Sequence, residues 1–228
     1  MDQSLIEESI LATGTRYHHE KRVWFDERIM IPVYARIIRA ILTDQKMDDL
    51  IDTSAKLEVA LRTVFMKKKV VEIGCRSGFF LAFLVDHGAI VSGTSSGNYL
   101  IKARRALGEN IFDAHAESAW KTPLSSEKPD FLISVNLLDK SREHTSAELK
   151  GKLRSLYQIA KPRTAVYVLP STDFGSIISN TVFQRLRRVK RYREIDFLRH
   201  HQHLGKDLQF DSNVLRFYVQ KKRRRNVK

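Results

Sequence analysis

The chain has 228 residues, 43% of them hydrophobic and 29% charged, the balance of one soluble globular domain, or one with a modest extension, large enough to bury its own core. A single cysteine, Cys75, excludes an intramolecular disulfide framework and a cysteine-based zinc finger; the longest apolar run, residues 79–85, falls far short of the roughly 18 residues of a membrane span. The net charge is +14, but residues 181–228 hold 15 Lys and Arg against 4 Asp and Glu, a net of +11, so the basicity belongs to the C-terminal fifth.

Residues 1–66 read as mostly helical. Leu5, Ile6, Ile10 and Leu11 fall on one face. Val33, Ile37, Ile38, Ile41 and Leu42 do the same after Pro32, a favoured first-turn residue. The pattern continues from Asp48 to Phe65 through Leu50, Ile51, Leu57, Val59, Ala60, Leu61 and Val64. These helices precede the first convincing strand and are expected to form an N-terminal cap or lid. The acidic, amphipathic opening (MDQSLIEESI) is unlike a secretory signal, so a cytoplasmic location is expected.

From residue 69 short β-branched runs alternate with helical stretches. Strands are expected at 69–73, 89–93, 111–112, 131–136 and 165–169. Helices are expected at 79–87, 98–107, 147–160 and 176–189. Such alternation implies βαβ units and a mostly parallel sheet covered on both faces. Two last strands, 194–198 and 213–219, lack an intervening helix and are expected to form an antiparallel hairpin at the sheet edge. The expected fold class is therefore α/β, a doubly wound, seven-stranded, mostly parallel sheet with an antiparallel last strand and an N-terminal helical cap. The expected division is 1–66 for the cap, 67–220 for the sheet domain and 221–228 for a basic tail.

The segment that carries chemistry is Glu72-Ile73-Gly74-Cys75-Arg76-Ser77-Gly78. A strand runs into a turn with two glycines, which let the backbone approach a ligand closely. The helix that follows offers free N–H groups. In the first βα turn of a doubly wound sheet, this is where nucleotide-like ligands bind.

Here the sequence resembles the class I (Rossmann-like) S-adenosylmethionine-dependent methyltransferases, whose first motif is a strand ending in an acidic residue followed by Gly-x-Gly-x-Gly. Glu72, Gly74 and Gly78 match it. Residues 90–94 resemble the family's second strand, 129–139 its fourth strand and loop, and 156–162 the turn before its fifth. The resemblance implies S-adenosylmethionine as cofactor. Its amino acid part would lie on the Gly74–Gly78 turn, beside Cys75 and Ser77, and its ribose at Ser95. Its adenine would lie near His115, after the third strand, and Asn136 and Leu137 would line the reactive end.

The sequence departs from that pattern at four places. Arg76 replaces the middle glycine. Ser95, or its neighbour Thr94, stands where an acidic residue is expected, and a serine holds at most one ribose hydroxyl well. His115 precedes Ala116-Glu117 where an aspartate is usual, although Asp113 or Glu117 could substitute. Arg163-Thr164 follows Lys161-Pro162 in place of two glycines. Valine at Gly78 is expected to block the turn while sparing the fold, and Ser95→Asp to strengthen cofactor binding.

Other features bear on the acceptor. The fourth-strand loop, Ser134 to Asp139, looks most like the small-molecule branches of the family, which favours methyl transfer to an oxygen or nitrogen of a small acceptor. The basic stretch 184–193 and the tail Lys221–Arg225 favour RNA or another polyanion, through counterion release. A methyltransferase-like binding protein without catalysis is the third reading. No catalytic base is singled out. A metal site is not expected, because adjacent histidines on a strand, as in His200, His201 and His203, point to opposite faces. Tyr17, Trp24 and Phe25 are expected to pack the cap against the sheet or to wall off the acceptor pocket.

Overall fold

The computed structural model describes residues 2–17, 28, 30–113, 128–135, 159–160, 164–169 and 215–218. The N-terminal part is helical, with α1 (Gln3–Tyr17), α2 (Ile31–Asp44), a 3-10 turn at Asp48–Leu50 and α3 (Ser54–Phe65). Pro32 lies in the first turn of α2, where its missing N–H costs no hydrogen bond. Tyr34, Ile37, Ile38, Ile41 and Leu42 form the buried stripe of α2. The apolar pattern from 48 to 65 is split into two elements. Thr53 adopts an extended conformation, and its hydroxyl caps α3 by accepting from the Lys56 N–H at 3.3 Å.

The sheet region follows as β1 (Lys69–Ile73), α4 (Phe79–Asp86), β2 (Ile90–Ser95), α5 (Gly97–Leu107), β3 (Ile111–Asp113), β4 (Phe131–Val135), β5 (Ala165–Leu169) and β6 (Leu215–Tyr218). The strand order is β3-β2-β1-β4-β5-β6. The first five strands are parallel, and β6 pairs with β5 in the antiparallel sense. The expected strand at 194–198 and the helices at 147–160 and 176–189 lie outside the described residues, apart from Ile159 and Ala160.

Helix α4 is apolar all round and correspondingly buried, from Phe79 through Leu84. It lies between the sheet and the N-terminal helices. Phe80 stacks on Tyr34 of α2 with ring centroids 4.2 Å apart and planes 7° from parallel. One hydrophobic core runs from Ile6 and Ile10 of α1 through α2, α3 and α4 to Ile133 and Tyr167 of the sheet. Polar ties reinforce it. The Tyr167 hydroxyl donates to Asp44 Oδ2 at 2.9 Å, joining the end of α2 to β5. At the base of the sheet, Asp130 Oδ2 accepts from the Lys69 N–H at 2.9 Å.

Candidate functional site

The connections change direction between β1 and β4, and ligands of such sheets bind beyond the carboxyl ends of the strands at that switch point. The residues there are Ile73, in register with Thr94 on one side and Ser134 on the other. Ser134 is fully buried, and its Oγ has no hydrogen-bond partner among the described residues. Glu72, one residue earlier, is also fully buried, in register with Gly93 and Ile133.

The turn after β1 is built from left-handed residues. Gly74 and Gly78 both have φ of 79°, and Arg76 has φ of 49°. Strand β2 holds the turn in place. The Gly74 N–H donates to Thr94 Oγ1 at 3.0 Å and the Cys75 N–H to the Thr94 carbonyl at 2.8 Å. The Ser95 hydroxyl donates to the Arg76 carbonyl at 2.6 Å. The turn closes on itself through the Gly78 N–H and the Cys75 carbonyl, 2.7 Å apart.

The two glycines have different surroundings. Among the described residues a Cβ on Gly74 would meet nothing within 4 Å, so with respect to them that face of the turn is an open cradle. A Cβ on Gly78 would lie 2.7 Å from Leu107 Cδ1 and 3.3 Å from Ala103 Cβ, both on α5. The expectation for valine at 78 is therefore corrected: beyond blocking the turn it would press on Leu107 and Ala103 of α5 at a left-handed φ, so a loss of stability is expected as well. The expectation for Ser95→Asp is corrected too. Ser95 already donates to the Arg76 carbonyl, and a carboxylate there would set two acceptors against each other.

Cys75 is 1% exposed and Ser77 fully buried. The Cys75 Sγ packs toward β2, 3.2 Å from where a Cβ on Gly93 would stand. Gly93 is a position that sequence reasoning missed. A side chain there would also meet the Glu72 carbonyl and Leu81 Cδ1, each at 2.9 Å. An isolated glycine inside a strand is the signal that could have found it. Tyr99 was missed as well. It lies in the first turns of α5, accepts a hydrogen bond from Arg76 Nη2 at 3.2 Å, and has the guanidinium carbon 5.2 Å from its ring centroid.

Asp113, named as a substitute carboxylate, is exposed at the end of β3, in register with Ser95. His115, Asn136, Leu137 and Glu117 lie outside the described residues, as do the basic segment 184–193, the tail 221–228, His200, His201 and His203, Trp24 and Phe25. Among the described residues no three metal-ligating side chains cluster, and no helix is long and apolar enough to cross a membrane. A cavity of about 280 Å³, lined in part by Gln45, Thr63, Lys68 and Asp130, opens at the opposite, amino-terminal end of the strands.

No protein-family profile matches the chain, and no curated protein sequence matches it. Solved structures do. The amino pentose methyltransferase CalS10 from Micromonospora echinaspora, solved with S-adenosylmethionine bound, is 16% identical. The match covers 57% of this chain and 52% of that one, with a TM-score of 0.41. The sugar N-methyltransferase KedS8 from Streptoalloteichus is 16% identical over 53% of this chain and 47% of that one, with a TM-score of 0.40. A Thermoplasma acidophilum protein is 12% identical over 79% and 77%, with a TM-score of 0.48. The chain spans about half the length of the two named methyltransferases. At these identities and TM-scores the likeness assigns neither cofactor nor reaction. The strand order is the chain's own. It has a Rossmann-like α/β fold.

Proposed function

We propose that the chain is an S-adenosylmethionine-dependent methyltransferase acting on an oxygen or nitrogen of a small-molecule acceptor. The observation that carries the reading is the left-handed turn at the end of β1. It lies at the switch point of the sheet and is pinned by Thr94 and Ser95, with the Gly74 face open to a ligand. The residue types fit the cofactor. Gly74 leaves room for its amino acid part, with Cys75, Ser77 and Gly78 shaping the turn beneath, and Glu72 is the acidic residue of the motif. Ser95, His115, Asn136 and Leu137 are the proposed neighbours of its ribose, adenine and reactive end. When bound, S-adenosylmethionine supplies an electrophilic methyl group on a sulfonium. The chain's own contribution is orientation and exclusion of water, since in-line displacement depends chiefly on alignment. A general base is needed only if the acceptor must lose a proton, as a hydroxyl or an ammonium does and a neutral amine attacking with its lone pair does not.

In the full proposed architecture, 194–198 and 213–219 close a seven-stranded sheet and 1–66 covers the site as a cap. The first test is titration calorimetry with S-adenosylmethionine and S-adenosylhomocysteine. Micromolar binding is expected. Absence of binding up to millimolar concentration would overturn the cofactor assignment. The net charge of +11 in 181–228 favours a second reading, an RNA acceptor. Salt-sensitive RNA binding that weakens when 221–225 is deleted would support it over the small-molecule acceptor.

A further inference from the structure

Sheets of this kind commonly place a carboxylate about 20 residues after the glycine turn, at the end of β2, to accept hydrogen bonds from ribose hydroxyls; a nearby arginine suits a ribose phosphate instead. Here that position is Ser95, and its hydroxyl is spent on the Arg76 carbonyl, 2.6 Å away. Arg76 itself stands in a left-handed conformation that glycine would adopt without strain. A residue of this kind at φ 49° signals a position whose side chain is retained at a conformational cost. That side chain runs from the turn to α5. Its guanidinium lies over the Tyr99 ring and donates to the Tyr99 oxygen. Both side chains are half-buried. Because the Tyr99 oxygen accepts from Arg76, its own O–H is directed elsewhere, and among the described residues it has no acceptor. The pair thus spans the gap between the glycine turn and the start of α5, beside the end of β2, and presents hydrogen-bond donors there.

We propose that Arg76 and Tyr99 are positioning residues that form the ribose wall of this cleft and donate to the ribose oxygens, where a carboxylate would accept from them. The inference rests on the cofactor reading for the presence of a nucleoside. Its consequence is a reversal of selectivity. An accepting wall repels an anionic substituent on the ribose, and a donating wall with a cation welcomes it.

The test is calorimetry of the full chain and its Arg76→Gly and Tyr99→Phe variants with S-adenosylhomocysteine, adenosine and adenosine 2′-monophosphate. Glycine suits the backbone at 76, so the melting temperature of Arg76→Gly is expected to hold or rise, which separates binding from folding. Arg76→Gly is expected to weaken S-adenosylhomocysteine binding about tenfold or more, and Tyr99→Phe by a smaller factor. The unaltered chain is expected to bind adenosine 2′-monophosphate at least as well as adenosine, and Arg76→Gly to lose that preference. The inference is overturned if Arg76→Gly binds S-adenosylhomocysteine as tightly as the unaltered chain. It is also overturned if the unaltered chain rejects the 2′-phosphate, as it would with Asp113 holding the hydroxyls. Either result leaves the cofactor reading standing. Failure of the unaltered chain to bind any of the three ligands would bring down both.

Discussion

Gly74 and Gly78 have the same φ and opposite surroundings, and that contrast makes them a paired test. At Gly74 an added methyl costs only the left-handed conformation, about 1–2 kcal/mol. It would stand in the open cradle, where the cofactor's amino acid part is proposed to lie. Gly74→Ala is therefore expected to fold, with a modestly lowered melting temperature, and to lose S-adenosylhomocysteine binding by calorimetry. At Gly78 the same conformational cost is joined by contact with Leu107 and Ala103. Overpacking of that kind adds about 1–3 kcal/mol. Gly78→Val is expected to melt well below Gly74→Ala. The motif was legible in the sequence because glycines punctuate a strand-to-helix turn at fixed spacing. The direction each glycine faces was not legible, since it depends on where α5 packs. Tyr99 was illegible for a related reason. Its link to Arg76 spans 23 positions, and a lone tyrosine in an ordinary helix gives no sign of it.

At the scale of elements, α3 and α4 are joined by a polar contact that couples their packing to pH. His87 is buried and is the C-cap residue of α4. Its Nδ1 lies 2.7 Å from the Phe83 carbonyl and its Nε2 2.9 Å from Glu58 Oε2 on α3. The two ring nitrogens thus face two oxygens, the Phe83 carbonyl and the Glu58 carboxylate. Glu58 also accepts from Arg62 Nε at 2.7 Å. Burial raises the Glu58 carboxyl, but the hydrogen bonds and charges of Arg62 and His87 outweigh it and hold the carboxyl below its ordinary value of 4.5. A folded value below the unfolded one gives stability that is complete above the unfolded value and is lost as pH falls through the folded one. Thermal melts from pH 6 down to pH 3 should therefore decline less steeply for Glu58→Gln than for the unaltered chain. Equal slopes would show that the contact contributes nothing. Neither Glu58 nor His87 stood out in the sequence, because a contact between residues 29 positions apart follows only from how two helices cross. The elements themselves were legible wherever apolar period and punctuation agreed, as at β1 and β5. The break at Thr53 was missed because the apolar spacing runs through it while the backbone does not.

Over the whole molecule, the packing bears on how the N-terminal helices relate to the sheet. Tyr34 stacks on Phe80, Phe80 approaches Phe83 with ring centroids 6.2 Å apart, and Tyr167 reaches back to Asp44. A helix as apolar as α4 needs cover on the side away from the sheet, and α1 and α2 supply it. If residues 1–66 were a detachable lid, loosening that contact would release them first and leave the sheet folded. If they belong to one cooperative unit, the entire chain should weaken together. Phe80→Ala distinguishes the two. Phe80 is fully buried, and deleting such a ring costs about 3–5 kcal/mol. For a chain of this size that corresponds to a fall in melting temperature of about 6–20 °C. The expected result is one transition at the lower temperature, with circular dichroism and limited proteolysis of the N-terminal helices tracking each other. Early cleavage within 1–66 at an unchanged melting temperature would mean instead that the N-terminal helices come away as a separate element while the sheet stays folded.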